Sequence, residues 1–380
     1  MALVCTSSDV TLGLNEAGKV LMLPSKSTAT SALNDGIVRP LEAFVGIVIK
    51  YVTTAAPNLI AMLTDRGILM TQGMAFVVKK GVNSSAQWIK ITQKCPILGK
   101  GSDGCLGHGT LESIKKPKIV ELLLGEEIIK VALNEKHILA LTSTGDLYSW
   151  GRNLGGCLGL GNVIKNEGSI LLDYHFDLLS FVIYDVICVF FVAGSDVKDD
   201  VVVSSPQKVP LKAHYDVTFI SAGPQCTAFI TSKGLMLASG KNHGKRLMLR
   251  AESSSHFMLS KVPAPVAQVA FGQNHTVLLQ TNGLILTLLP NGILKEVKLD
   301  LIFPPDDNIQ SVSTIVTKTN DVGLCVSSKG RIYKWDIKDI VQEDDHIKAE
   351  QLTFDPLHIS QQIVNLSVAK EHFIVAFDKK

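Results

Sequence analysis

Apolar residues along this chain gather into short strand-length runs, each followed by a brief polar stretch and a glycine, and this order recurs six times. The copies are Val10–Gly18, Leu59–Gly67, His137–Gly145, Cys226–Gly234, His275–Gly283 and Val322–Gly330. A seventh, His372–Lys380, carries lysine where the glycine would fall. A second apolar run follows each glycine, as in Asp146–Trp150 and Arg331–Trp335, so the unit predicts strand, tight turn, strand. Gly18, Gly67, Gly145, Gly234, Gly283 and Gly330 are expected to supply the positive φ of a two-residue hairpin turn, which costs least without a Cβ. Asn282-Gly283 is the strongest such dipeptide.

The glycines are 49, 78, 89, 49 and 47 residues apart, with 50 more to the vacant seventh position. The two long steps can be resolved. Cys105–Gly109 and Cys157–Gly161 are copies of one element, and Pro117 matches Pro206, yet Cys105 precedes its proline by 12 residues and Cys157 by 49. The excess lies within 162–204, and the same comparison places the other near 74–99. The chain therefore reads as seven units of about 50 residues carrying two insertions.

A unit of that length holds about four short strands, and one such sheet cannot bury both of its faces alone. The expected fold is all-β: a seven-bladed propeller of four-stranded antiparallel blades in a single domain, residues 1–380, closed by pairing of the carboxy-terminal strand His372–Phe377 with Leu3–Cys5 or with the strand starting at Val10. Helical repeats of similar length fit poorly, because glycine and proline interrupt nearly every window.

Tyr148–Gly161, with its Tyr-x-Trp-Gly start and Leu158-Gly-Leu-Gly161 end, resembles the regulator of chromosome condensation repeat family. Pro117–Leu160 and Pro206–Gly240 are most similar to the propeller domain found behind the kinase domain of NIMA-related kinases. The resemblance implies a propeller that binds a protein partner, either a kinase or a small GTPase. It departs at Leu289 and Asp336, which fall where Gly151 sits in its own copy.

Net charge is +2 and 46% of residues are hydrophobic, enough for a large core. No block of positive charge stands out, so nucleic-acid binding is not expected. Seven cysteines without a Cys-x-x-Cys pair suggest neither a disulfide framework nor a zinc site, and fit a reducing compartment. No secretory signal is read at the amino terminus. Cytoplasmic location follows, with cytoskeletal or nuclear location compatible. The stretch Leu178–Ala193 is apolar but only sixteen residues long, with Asp185 at its centre, whereas a spanning helix needs about 20. No membrane span is expected. Its apolar character in a surface insertion favours translated intervening sequence over an extra hairpin or helix docked on the propeller.

Candidate chemistry is sparse. Gly99–Gly104 matches Gly-x-Gly-x-x-Gly, but Cys105–Gly109 and Pro117 follow where a phosphate loop would need a helix. Ile47–Lys50 resembles a kinase lysine strand, yet it precedes the glycine loop, and neither His-Arg-Asp nor Asp-Phe-Gly occurs. His137, His275 and His372 share one repeat position with Cys226 and Val322, which suggests a half-buried framework site rather than a ligand or base. Trp150 and Trp335 are expected to pack between blades. No catalytic residue, cofactor site or metal site is assigned. The expected function is a non-catalytic regulatory propeller, with nucleotide exchange on a Ran-like GTPase as the alternative.

Overall fold

The computed structural model describes residues 3–6, 10–14, 17–24, 39–40, 47–55, 59–73, 100–114, 118–134, 136–166, 169–173, 200–273, 275–299, 307–316, 321–337, 346–352, 363–368 and 373–377. His372, Pro117, Gly99, the segment 74–99 and the apolar stretch 178–193 lie outside them.

The described elements are strands, with only one-turn 3-10 helices between them. The first sheet runs β1 (Leu3–Thr6), β2 (Val10–Leu14), β3 (Val20–Pro24), β4 (Arg39–Pro40). The second runs β5 (Ile49–Ala55), β6 (Leu59–Thr64), β7 (Leu69–Gly73), β8 (Lys118–Ile119). The third takes β9 (Ile128–Leu133), β10 (His137–Thr142) and β11 (Leu147–Leu154); after a separate hairpin, β12 (Asn162–Asn166) and β13 (Ser169–Asp173), it is completed by β14 (Asp200–Lys208). The fourth runs β15 (Val217–Gly223), β16 (Cys226–Thr231), β17 (Met236–Lys241), β18 (Ser253–Leu259). Next come β19 (Val266–Phe271), β20 (Thr276–Gln280), β21 (Ile285–Leu288), β22 (Leu294–Leu299), then β23 (Ile309–Val316), β24 (Asp321–Ser327), β25 (Ile332–Asp336), β26 (His346–Gln351). The last pair is β27 (Ile363–Val368) and β28 (Phe373–Phe377). Within each set, consecutive strands pair antiparallel.

The first strands form a ring. β1 packs beside β5, β5 beside β9, and the succession continues through β15, β19 and β23 to β27, which returns to β1. Every residue of the second strands β6, β10, β16 and β20 is buried. That explains the unbroken apolar runs, because a strand covered on both faces needs no polar positions. Period two survives inside the run. Leu59, Ala61 and Leu63 join a core layer shared with the third and fourth sheets, while Ile60 and Met62 join one shared with the first. Leu278 likewise faces the fourth sheet, and Val277 and Leu279 face the sixth.

Two expectations need correction. The strand at Phe373–Phe377 does not pair with the amino-terminal strands: it pairs with β27, and β1 pairs with β2. The preceding strand already supplies its partner, and the pair meets β1 only by packing. Strand β14 takes in 200–204 and so bounds the insertion within 162–204 on its carboxy-terminal side, with Arg152 opposite Val202 and Leu154 opposite Asp200. Finally, the fifth and sixth sheets are not separate. β22 pairs parallel with β26 from Glu296 opposite His346 to Leu299 opposite Ala349, so the outer edges fuse into one eight-stranded sheet.

Candidate functional site

Loops gather at two opposite ends of the strands. At one end lie the repeat glycines, all six with φ between +71° and +87°. The turn differs from the two-residue hairpin. The Gly145 N–H donates to the Thr142 carbonyl (3.1 Å) and the Thr142 N–H to the Asp146 carbonyl (2.9 Å), which encloses three residues. This is a type I turn closed by a left-handed glycine, and Asn282 accordingly lies outside the left-handed region. The glycine also receives the next sheet: Ile49 donates to the Gly18 carbonyl (3.1 Å), Ile128 to Gly67 (3.0 Å) and Val266 to Gly234 (2.9 Å). A Cβ at Gly234 would lie 2.5 Å from the Pro265 Cβ and 3.0 Å from the Val266 nitrogen, whereas one at Gly283 meets nothing within 4 Å.

The opposite end carries the histidines. His137 and His275 are fully buried, not half-buried, and each reaches the following sheet. The His137 Nε2 lies 3.0 Å from the Thr227 hydroxyl, which donates to the Cys157 carbonyl (2.6 Å). Burial lowers the His137 pKa to about 4, against a backbone hydrogen bond with Cys226. The His275 Nδ1 lies 3.1 Å from the Asp321 carboxylate. Trp150 and Trp335 are buried and bond backwards: Trp150 Nε1 donates to the Cys105 carbonyl (2.8 Å), Trp335 Nε1 to the Thr287 hydroxyl (3.1 Å). His137, His275, Trp150 and Trp335 thus each join neighbouring repeats.

The Leu-Gly-x-Gly loops are also bridges. The Gly109 N–H donates to Ser204 of the next sheet's outer strand (3.0 Å) and the Gly161 N–H to Ser255 of the one after (2.8 Å). A Cβ at Gly159 would strike the Phe257 ring at 2.3 Å, and one at Gly101, in the Gly99–Gly104 match, would lie 2.3 Å from the Glu112 carbonyl, so close approach accounts for both glycines. Beside this loop Arg152 grips Asp200 through two nitrogens and Asp103 through a third (3.0 Å), which holds the Asp200 carboxyl below its usual range. Burial pushes Cys157 and Cys325 up to about 12 and Cys226 to about 11, so these are thiols at neutral pH and poor nucleophiles. Among the described residues no group of three or more His, Cys, Asp or Glu side chains could hold a metal ion.

The departures from the repeat have structural counterparts. At Leu289 the long loop is cut to a turn, with Leu289 N–H donating to Ile293 (2.9 Å) and Gly292 at φ 81°. At Asp336 the next residue, Ile337, still donates to the Asp321 carbonyl (2.9 Å), as Arg152 donates to Lys136 (2.7 Å). Sequence reasoning missed Arg246, which is buried where other copies carry Cys105 and Cys157; superposing Lys241–Arg250 on Arg152–Gly161 residue by residue exposes the substitution.

Two family profiles, both described as the regulator of chromosome condensation (RCC1) repeat, match overlapping residues, 98–141 and 128–157. Residues 98–157 carry regulator of chromosome condensation repeats. The zebrafish (Danio rerio) serine/threonine-protein kinase Nek8 is 29% identical to this chain over 213 residues, 56% of it but 21% of that kinase. The chain therefore spans much less than the length of this relative. Among solved structures, human WBSCR16 matches with a TM-score of 0.64 at 13% identity, covering 99% of this chain and 87% of the other. Prp20p from Saccharomyces cerevisiae, described together with its binding to Gsp1p and histones, matches at 0.61 with 16% identity, covering 99% and 82%. Those likenesses establish a propeller fold for these repeats. No helix among the described residues is long and apolar enough to cross a membrane.

Proposed function

We propose that this chain is a non-catalytic, protein-binding propeller of seven blades that controls or targets a partner, such as a NIMA-related serine/threonine kinase. The observation that carries the reading is the 213-residue alignment with Nek8, which extends well beyond the matched repeat units. Ring closure from β27 to β1 supports seven blades in one domain, and the loops at both ends of the strands offer the recognition surface. Partners are proteins rather than nucleic acid or membrane, and the compartment is cytoplasmic or nuclear.

The test is direct binding of the purified chain to the catalytic domain of a NIMA-related kinase, with kinase activity measured in the same mixtures. A stoichiometric complex that changes activity is expected; a chain that neither binds nor alters the kinase rejects the reading. The likeness to Prp20p keeps nucleotide exchange as the second reading. Acceleration of GDP release from a Ran-like GTPase would favour that reading instead.

A further inference from the structure

The loop Lys241–Arg250 has the same length as Arg152–Gly161, but its chemistry is different. Lys245 (φ 59°) and Met248 (φ 52°) occupy the places of Gly156 (φ 81°) and Gly159 (φ 67°). With Gln225 (φ 60°) in the adjoining turn, they are the non-glycine residues of left-handed φ among the described residues. Each side chain in that conformation costs about 1–2 kcal/mol, and such strain persists only where its surroundings enforce it.

The enforcing contacts are explicit. Asn242 accepts from the Leu247 N–H (2.8 Å) and donates to the Leu249 (3.0 Å) and Ala251 (2.8 Å) carbonyls. Arg246 donates to the carbonyls of Lys241 (3.2 Å), Gln273 (3.0 Å) and Pro224, which ties the loop to the turns of its own sheet and the next. Its guanidinium is buried against carbonyl oxygens, and no carboxylate pairs with it among the described residues.

The charge above it is also unbalanced. His243, Lys245 and Arg250 are exposed and Lys241 is half-buried. Arg152, Lys208, Lys118 and Lys334 each face a carboxylate, whereas among the described residues no ion pair joins Lys241, Lys245 or Arg250; the one carboxylate beside the loop is the exposed Glu252, whose carbonyl accepts from the Asn242 N–H (2.7 Å), so these three cations outnumber it. A rigid loop with unpaired cations is preorganised for an anion, because neither ordering nor breaking of ion pairs opposes binding.

We propose that Lys241–Arg250 docks an acidic segment of a protein partner, an inference that rests on the protein-binding reading above. Duplex nucleic acid fits less well. It presents a charge about every 1.7 Å along its axis and calls for an extended basic stripe, while the adjacent rim is neutralised by Asp103 and Asp200 and the whole chain carries only +2.

The probe is a fluorescein-labelled polyglutamate peptide titrated with the full chain at low and physiological ionic strength, beside a labelled DNA duplex. The chain is expected to bind the peptide in a salt-dependent manner and more tightly than the duplex. The Lys245→Glu/Arg250→Glu double variant should weaken binding by about tenfold. Lys233→Glu, at the other end of β17, should leave it unchanged. Thermal unfolding of each variant confirms folding, since all three side chains are exposed. Absence of peptide binding, equal affinity in the double variant, or preference for the duplex overturns the proposal. A kinase partner bound equally by wild type and double variant would overturn this docking site while leaving the protein-binding reading intact; failure of the wild type to bind any kinase, with peptide binding retained, would reject a kinase as the partner while leaving the docking site intact.

Discussion

At the scale of single residues, the repeat glycines carry two requirements that can be separated. Gly234 and Gly283 both have positive φ, but only Gly234 sits against the next sheet. Gly283→Ala should therefore cost about 1–2 kcal/mol from backbone strain alone. Gly234→Ala should cost clearly more, because Pro265 or Val266 must move as well. Urea unfolding of the two variants checks this, and equal midpoints would remove the inter-sheet role. His137 offers a second measurement. Its folded pKa of about 4 lies below the ordinary 6.5, so the unfolded state binds the proton more readily between those values. Its contribution is therefore present above pH 6.5 and is lost as pH falls towards 4, with about 2 kcal/mol gone by pH 5. A His137→Gln variant should show a correspondingly flatter loss of stability between pH 7.5 and about 5. The glycine spacing made these positions legible in the sequence. The partners Thr227 and Asp321 were not legible, because they belong to the neighbouring repeat and only packing brings them near.

At the scale of elements, continuous apolar runs announced the second strands, since those strands are covered on both faces. The outer strands were much harder to read. β18 has only Phe257 buried along its length and β4 and β8 are two residues long, so neither pattern nor length marks them. The parallel joint between β22 and β26 left no local sign, because it depends on the shortened connection at Pro290–Gly292 and on where the next sheet's edge falls. Strand β14 bounds the insertion. Removing 162–198 gives Gly161–Pro206 the spacing of Gly109–Pro117 and keeps both Asp200, held by Arg152, and the buried Val203. That deletion should yield folded protein with an unfolding midpoint near the parent's. Extending it through 204 removes those contacts and the Ser204 carbonyl that anchors Gly109, and should abolish folding. Circular dichroism melts of the two deletions distinguish the outcomes, and a folded protein from the longer one would show that β14 is dispensable.

At the scale of the molecule, the seven-unit reading predicted closure, but it assigned closure to the wrong forces. An exchange of strands between the chain ends would be held by a hydrogen-bond ladder. What joins them is packing: β27 lies between β23 and β1, and β28 also contacts β1, just as first strands meet elsewhere in the ring. Truncation before Ile363 therefore removes a neighbour from both β1 and β23 and breaks no ladder within the first sheet, where β1 stays paired with β2. The expected result is a folded but weakened protein, with a lower unfolding midpoint and newly exposed apolar faces that promote association. Cutting only after Val368 should have an intermediate effect, because β27 stays in the ring and loses its hairpin partner. Light scattering and thermal unfolding on the two truncations measure this order. A monodisperse truncated protein with the parent's midpoint would show that the ring is not closed through β27.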